Sequence, residues 1–360
     1  MSKSSKLAGI ELCRGLAALA VIIVHSGDDT WGIPIAKSAI QFRLLFYFAV
    51  PFFIASYFYF ATRKLPLRIS LDFWQKKFRR IVVPYLLWSI IFVLFKSVVF
   101  LGNGGTEQLE KLWSDPLAIV FFGGASYHLY FLPLLMSGTL LIYLAKYLIK
   151  QDIIVLSLGF VLSIALYQWL ITSENSFDMA KDIAFSGLLN QLDAQPFVYP
   201  IARIILVSLA WNIRCLPYFF VALLFNHFFK IDRCRWLYYP QTSLLLLLGF
   251  ILINGFRERL VLGSLSEVAI AYLLLLLGVS ISQKISNSYW ITSLGLCSFG
   301  IYLIHPIIKS IVEIILIKLT PNVVENVSLV SMLFYCIPTF ILSWFVVIFL
   351  RQQKWFAKYI

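Results

Sequence analysis

Three ionisable residues, Glu11, Arg14 and His25, lie in the otherwise apolar string ELCRGLAALAVIIVH. Arg14 and His25 are eleven residues apart. On an α-helix, eleven steps of about 100° return to within about 20° of the same face, roughly 16 Å along the axis. Glu11, three residues before Arg14, joins that stripe. Histidine, with an unperturbed pKa near ~6.5, can take a proton from a hydroxyl at neutral pH. A guanidinium can hold carbonyl or phosphate oxygens. A carboxylate beside His25 would orient its ring, and the sequence offers Asp28, Asp29 and Glu313. Spacing does not choose among them. The same spacing suits an arginine that snorkels to headgroups and a histidine in the opposite interface, so catalysis and anchoring both stay open here.

These residues must be held by elements of unusual composition. Of 360 residues, 61% are hydrophobic and 13% charged, with a mean hydropathy of +0.87. A soluble domain carries roughly 25% charged residues, so this chain cannot cover itself with a polar surface and needs lipid as its solvent. The net charge of +13 does not indicate nucleic acid, because the basic residues fall between apolar runs, where membrane orientation needs them. Five cysteines (Cys13, Cys215, Cys234, Cys297 and Cys336) show no metal-ligand spacing, and neither a zinc site nor a disulfide framework is expected. The N-terminus looks like a signal peptide, but Arg14 interrupts it and no small-x-small cleavage pattern follows. It reads as an uncleaved first helix.

Apolar segments about 20 residues long recur, each enough to cross a hydrocarbon core of roughly 30 Å. The expected spans are 9–26, 38–61, 81–101, 129–149, 152–172, 205–229, 236–254, 260–281, 289–308 and 328–350. The expected fold is therefore an all-α integral membrane protein of about ten transmembrane helices. Lys and Arg concentrate on one side, notably in the seven basic residues of 62–80. By the positive-inside rule that side and both termini are cytoplasmic. The opposite side receives the longest polar connections, 102–115 and 173–203. The apolar stretch 116–124 is too short to span and reads as re-entrant or interfacial. Residues 1–360 are read as one membrane domain without an appended soluble domain.

Four strings, in order along the chain, resemble the acyltransferase-3 family of membrane acyltransferases. The first is ELCRGLAALAVIIVH, an acidic residue, then Arg-Gly-x-Ala, then His eleven residues after the Arg. The others are AVPFFIAS at 49–56, HLYFLPLLM at 128–136 and SFGIYLIHP at 298–306. The resemblance spans roughly residues 8–350. Two places depart from the family pattern: Ser56 is followed by Tyr57 rather than Gly, and a basic Arg-x-x-Arg element appears only as Lys76-Lys77-Phe78-Arg79-Arg80.

The resemblance implies transfer of an acyl group, usually acetyl from cytosolic acetyl-CoA, to a hydroxyl of a carbohydrate outside the cytoplasmic membrane. The acceptor would be a surface glycan such as a lipopolysaccharide O-antigen, capsule or exopolysaccharide. The localisation would be the bacterial inner membrane, multi-pass, with membrane lipid as surroundings. On that reading His25, Arg14 and Glu11 are catalytic. Arg79, Arg80, Lys77 and Ser56 bind the donor; His128, Tyr130, Phe131, Tyr302 and His305 bind the acceptor or acyl group. No metal is involved, and association with further copies of the chain stays open. Structural duties compete at each position: positive-inside topology for 62–80, an interfacial anchor for His128, a helix kink for His305-Pro306. Arg203 is expected to need a carboxylate or lipid-headgroup partner, with a salt bridge favoured over a grip on the acceptor. Two other functions fit the buried charges, a flippase for a lipid-linked sugar and a succinyl- or longer-chain acyltransferase acting on a small molecule. A flippase would be marked by internal repeats, and the sequence has none.

Overall fold

The computed structural model describes residues 7–26, 35–63, 70–172, 185, 189, 199–229, 234–257, 260, 262–285, 288–319 and 327–360. Asp28 and Asp29, and the acidic residues of 173–198, lie outside them. The described chain is helical, with no strand and one isolated bridge between Ile35 and Val327. Eight helical segments are long and apolar enough to cross a membrane. The protein is an all-α integral membrane protein. Two of the ten expected spans are shorter helices, Ala8–Val24 with 17 residues and Pro240–Gly255 with 16.

The chain forms two compact units, Met1–Ser56 with Asp232–Ile360, and Tyr57–Ile231. In the first unit, α1 (Ala8–Val24) is followed by α2 (Lys37–Leu44) and α3 (Ala49–Thr62), the last of which runs on into the second unit. The expected span 38–61 is one membrane-crossing segment, Lys37–Thr62, whose helix is interrupted at 45–48. Pro51 explains the break: a proline deeper than the first turn of a helix removes a hydrogen bond and clashes with the carbonyl four residues back. The freed Leu45 carbonyl accepts a bond of 2.6 Å from the Asn254 side-chain amide.

The second unit holds α4 (Leu71–Lys77), a π-type turn at Phe78–Val82, α5 (Val83–Gly102), α6 (Thr106–Trp113), a second π-type turn at Ala118–Phe122, α7 (Phe131–Leu148), α8 (Ile153–Thr172) and α9 (Pro200–Phe229). Helix α9 packs along both α7 and α8. The first unit resumes with α10 (Pro240–Gly255), α11 (Gly263–Ile281), α12 (Tyr289–Leu319) and α13 (Leu329–Gln352). Helix α12 continues eleven residues past the expected end at 308, because Pro306 lies within it rather than at its end.

Helix α1 is the centre of the first unit, packed on α11 and α12 and touching α13. Its buried residues surround the axis, and only Leu16, at 45% exposure, faces outward. A helix covered on all sides needs close backbone approach, which small residues allow. A Cβ on Gly9 would lie 2.1 Å from the Gly278 carbonyl oxygen, and one on Gly15 2.1 Å from Leu294. The Ser282 hydroxyl accepts from the Gly9 N–H at 3.1 Å, satisfying one of the first-turn donors, and itself donates to the Gly278 carbonyl at 2.6 Å.

Gly9→Val should therefore destabilise the protein by about 2 kcal/mol, because the obstructing atom is backbone and cannot rotate away. Gly102→Ala, with nothing within 4 Å of its new Cβ, should leave stability unchanged. Thermal unfolding of the detergent-solubilised protein compares the two.

Candidate active site

His25 is the residue that closes α1. Its N–H reaches the Val21 carbonyl, and the Ser26 hydroxyl folds back to donate to the Ile22 carbonyl at 2.7 Å. The His25 side chain is half-buried, and its ring stacks on that of His305, with centroids 6.3 Å apart and planes 26° from parallel. Two imidazoles thus face one another where α1 ends against the middle of α12.

The chemistry of His305 follows from the residue after it. In an uninterrupted helix the N–H of residue 306 would donate to the Tyr302 carbonyl, but Pro306 has none. The orphaned carbonyl is taken instead by His305 Nδ1 at 2.7 Å. A carbonyl only accepts, so Nδ1 carries the proton and Nε2 is the basic nitrogen of the neutral ring. His305 is fully buried, and the Tyr302 ring lies 6.2 Å from it. The His-Pro pair of the late motif is therefore a device that fixes a tautomer. It does not end a helix.

One turn beyond His305 on the same helix, Lys309 donates from Nζ to the His25 carbonyl. One turn further, Glu313 stands 3.5 Å from Lys309 Nζ. Both side chains are more than nine-tenths buried. Nearer the start of α1, Arg14 Nη1 pairs with Glu11 Oε1 at 3.2 Å, with Arg14 30% exposed. Glu11 Oε2 has no hydrogen-bond partner among the described residues and sits where a Cβ on Gly295 would be, 2.1 Å away. Gly295 makes room for that carboxylate. Glu11, Arg14, His25, Tyr302 and His305 thus all belong to the first unit, where α1 and α12 carry them.

Ser56, at the end of that unit's share of α3, is buried and donates to the Phe53 carbonyl at 3.0 Å. In the second unit, Arg79 and Arg80 are exposed on the π-type turn, where the Val83 N–H reaches back to Phe78. Pro84, next in the chain, cannot donate, and π-type turns mark functional positions more often than chance. Lys77 is not a loose loop cation. It donates to the Tyr57 hydroxyl at 3.0 Å and lies 4.3 Å over the Tyr57 ring, while Tyr57 shares a 2.5 Å bond with Thr139.

His128 lies in a turn before α7, which begins at Phe131 rather than at the expected 129. It is buried, with Nδ1 3.1 Å from the Ser126 hydroxyl and its ring 5.1 Å from that of Phe92. Tyr130 caps α7, and Phe131 is buried in its first turn. The turn before them depends on Gly123, whose φ of +85° and close approach to Tyr130 admit no side chain. The carboxylate expected beside Arg203 is Asp115, held through two bonds of 3.0 and 2.6 Å, with Arg203 also lying 5.1 Å over the Phe122 ring. Arg203 is thereby committed to closing the second π-type turn.

A family model described as an acyltransferase domain matches residues 7–348. The chain belongs to the acyltransferase-3 family. No curated protein and no solved structure matches it. A half-buried imidazole beside a second one is a group able to accept a proton. Among the described residues no group of three or more His, Cys, Asp or Glu is placed to hold a metal ion.

Lys309 is the site residue that spacing did not single out, although a signal existed. His305, Lys309 and Glu313 recur at four-residue intervals, a charged face inside an apolar segment.

Replacing Pro306 with Ala restores an N–H that competes for the Tyr302 carbonyl and releases His305. The rate of acyl transfer should fall about tenfold with helical content unchanged, as when a positioned group is let loose by a fraction of an ångström. Circular dichroism and a transfer assay on the same preparation decide it.

Proposed function

We propose that the protein transfers an acetyl group from acetyl-CoA to a hydroxyl of a surface glycan at the cytoplasmic membrane, with His25 as general base. The acceptor class is a lipopolysaccharide O-antigen, capsule or exopolysaccharide. The observation that carries this reading is the placement of His25. It is half-buried at the end of a fully packed helix, faces His305, and shares that helix with the Arg14–Glu11 pair.

In this reaction the acceptor hydroxyl oxygen attacks the thioester carbonyl carbon while His25 takes its proton. The tetrahedral intermediate collapses with cleavage of the carbon–sulfur bond. The imidazolium returns the proton to the departing thiolate, so the products are the O-acetyl ester and free CoA thiol. Arg14, oriented by Glu11, holds an oxygen of the donor arm. Its 30% exposure leaves part of the guanidinium accessible. The phosphates of the donor fall to the exposed Arg79 and Arg80, with Lys77 adding charge from its seat on Tyr57. The resemblance assigns Tyr302, His305, His128, Tyr130 and Phe131 to acceptor or acyl binding and Ser56 to donor binding. The family membership supports acyl transfer; the acetyl donor and glycan acceptor rest on the phosphate-matching cations and the resemblance of the four motifs.

Purified protein incubated with radiolabelled acetyl-CoA and surface glycan provides the test. His25→Ala should lower label transfer by about 10²- to 10⁴-fold, the usual worth of a general base. Arg14→Lys should raise the donor KM more than it lowers kcat, because an ammonium cannot reproduce the guanidinium fork. Equal transfer by wild type and His25→Ala would exclude His25 as the base.

A further inference from the structure

The end of a helix leaves carbonyl groups without intrahelical partners, and inside a membrane no water is available to take them. The carbonyl of His25 is one of these. It is received by Lys309, a cation reaching across from α12 with almost no exposure to solvent. A buried ammonium is costly unless it is paired, and Glu313, one turn on, supplies the opposite charge at 3.5 Å. Lys309 also suits the position electrostatically, since the C-terminal end of a helix carries partial negative charge.

Four residues follow one another along a single face of α12, each about one turn from the next: Tyr302, His305, Lys309 and Glu313. The first two set the neighbouring imidazole; the last two set the backbone of His25. Neither Lys309 nor Glu313 need touch a substrate. The ammonium bonds to the same residue whose side chain is the base, so a shift of that contact moves the base.

We propose that Lys309 and Glu313 are positioning residues for His25: Lys309 pins the His25 carbonyl, and Glu313 keeps Lys309 aimed at it. The proposal rests on His25 acting as the general base. It also gives Glu313 a role other than orienting the ring directly: the carboxylate acts through an intervening lysine and the main chain.

The test compares four proteins in detergent: wild type, His25→Ala, the doubly neutral Lys309→Met/Glu313→Gln, and Lys309→Arg. The double variant removes both buried charges together and leaves neither alone, so the fold is expected to survive, with a thermal midpoint near wild type. Its kcat should fall about tenfold or more, while the KM for acetyl-CoA stays within about twofold, because displacement of the base affects the chemical step and not donor binding. Lys309→Arg keeps the charge but changes the reach, and should recover part of the lost kcat. A double variant that is folded and turns over at the wild-type rate overturns the proposal. If the double variant does not fold, Lys309→Arg decides: wild-type kcat there overturns the proposal, and a lowered kcat with unchanged KM supports it. His25→Ala separates the two levels. Full activity in that variant removes the base assignment itself, whereas an inactive His25→Ala beside a fully active double variant removes only the positioning role.

Discussion

In a hydrocarbon environment, a backbone or side-chain polar group must find its partner within the protein. Most of the named contacts follow from that requirement. Pro306 leaves the Tyr302 carbonyl without its usual donor, and His305 takes it. The end of α1 leaves the His25 carbonyl, and Lys309 takes it. Arg203 brings a charge among apolar side chains, and Asp115 meets it with two bonds. In each case the residue that answers the need is polar and held in orientation by the bond it makes, and His305 and Lys309 are also buried. A site able to hold an imidazole in one tautomer is thus a by-product of solving a solvation problem at a proline.

Proline shows how the same constraint produces different local outcomes. Pro51 falls near the start of its helix, and the chain breaks just upstream, with Asn254 receiving the Leu45 carbonyl. Pro306 falls in the middle of a 31-residue helix, and the helix continues. The difference is what stands nearby. At Pro306 the preceding histidine can satisfy the vacated carbonyl locally, so continuing the helix costs little. At Pro51 the preceding residue is Val50, which has no hydrogen-bonding side chain, and the helix is interrupted upstream, where the Leu45 carbonyl accepts from the Asn254 amide of α10.

This contrast also explains what could be read from the sequence. Hydropathy located all the long helices, since twenty apolar residues have few alternatives, and the stripe of Glu11, Arg14 and His25 is a property of one helix's periodicity. The break at 45–48 and the extension of α12 to Leu319 depended on tertiary partners, which no single segment displays. Gly295 illustrates the limit well. Its need to lack a side chain comes from Glu11, nearly three hundred residues earlier in the chain. Lys77 read as part of a basic loop, yet Tyr57 and Thr139 draw it into a bonded chain. The Lys309–Glu313 pair was visible as a spacing, but its target, a main-chain oxygen at the end of α1, carries no signal in residue type.

Placing Arg14 and His25 on one helix has a physical advantage over bringing them together from two. Covalent geometry sets Arg14 and His25 roughly 16 Å apart, and the rise of an α-helix is among the stiffest rulers in a protein. What packing must then control is the position of the whole helix and the orientation at its end. The first task falls to close contacts such as Gly9 on Gly278 and Glu11 on Gly295, where backbone and carboxylate approach without intervening side chains. The second falls to the face of α12 that carries His305, Lys309 and Glu313. Because the same helix also supplies Gly295, the contact with Glu11 and those that fix the end of α1 come from one helix, while Gly9 is seated on α11. A displacement of α12 would move Gly295 and the face that meets the end of α1 together, while α1 itself keeps the His25 imidazole and the Arg14 guanidinium in fixed relation.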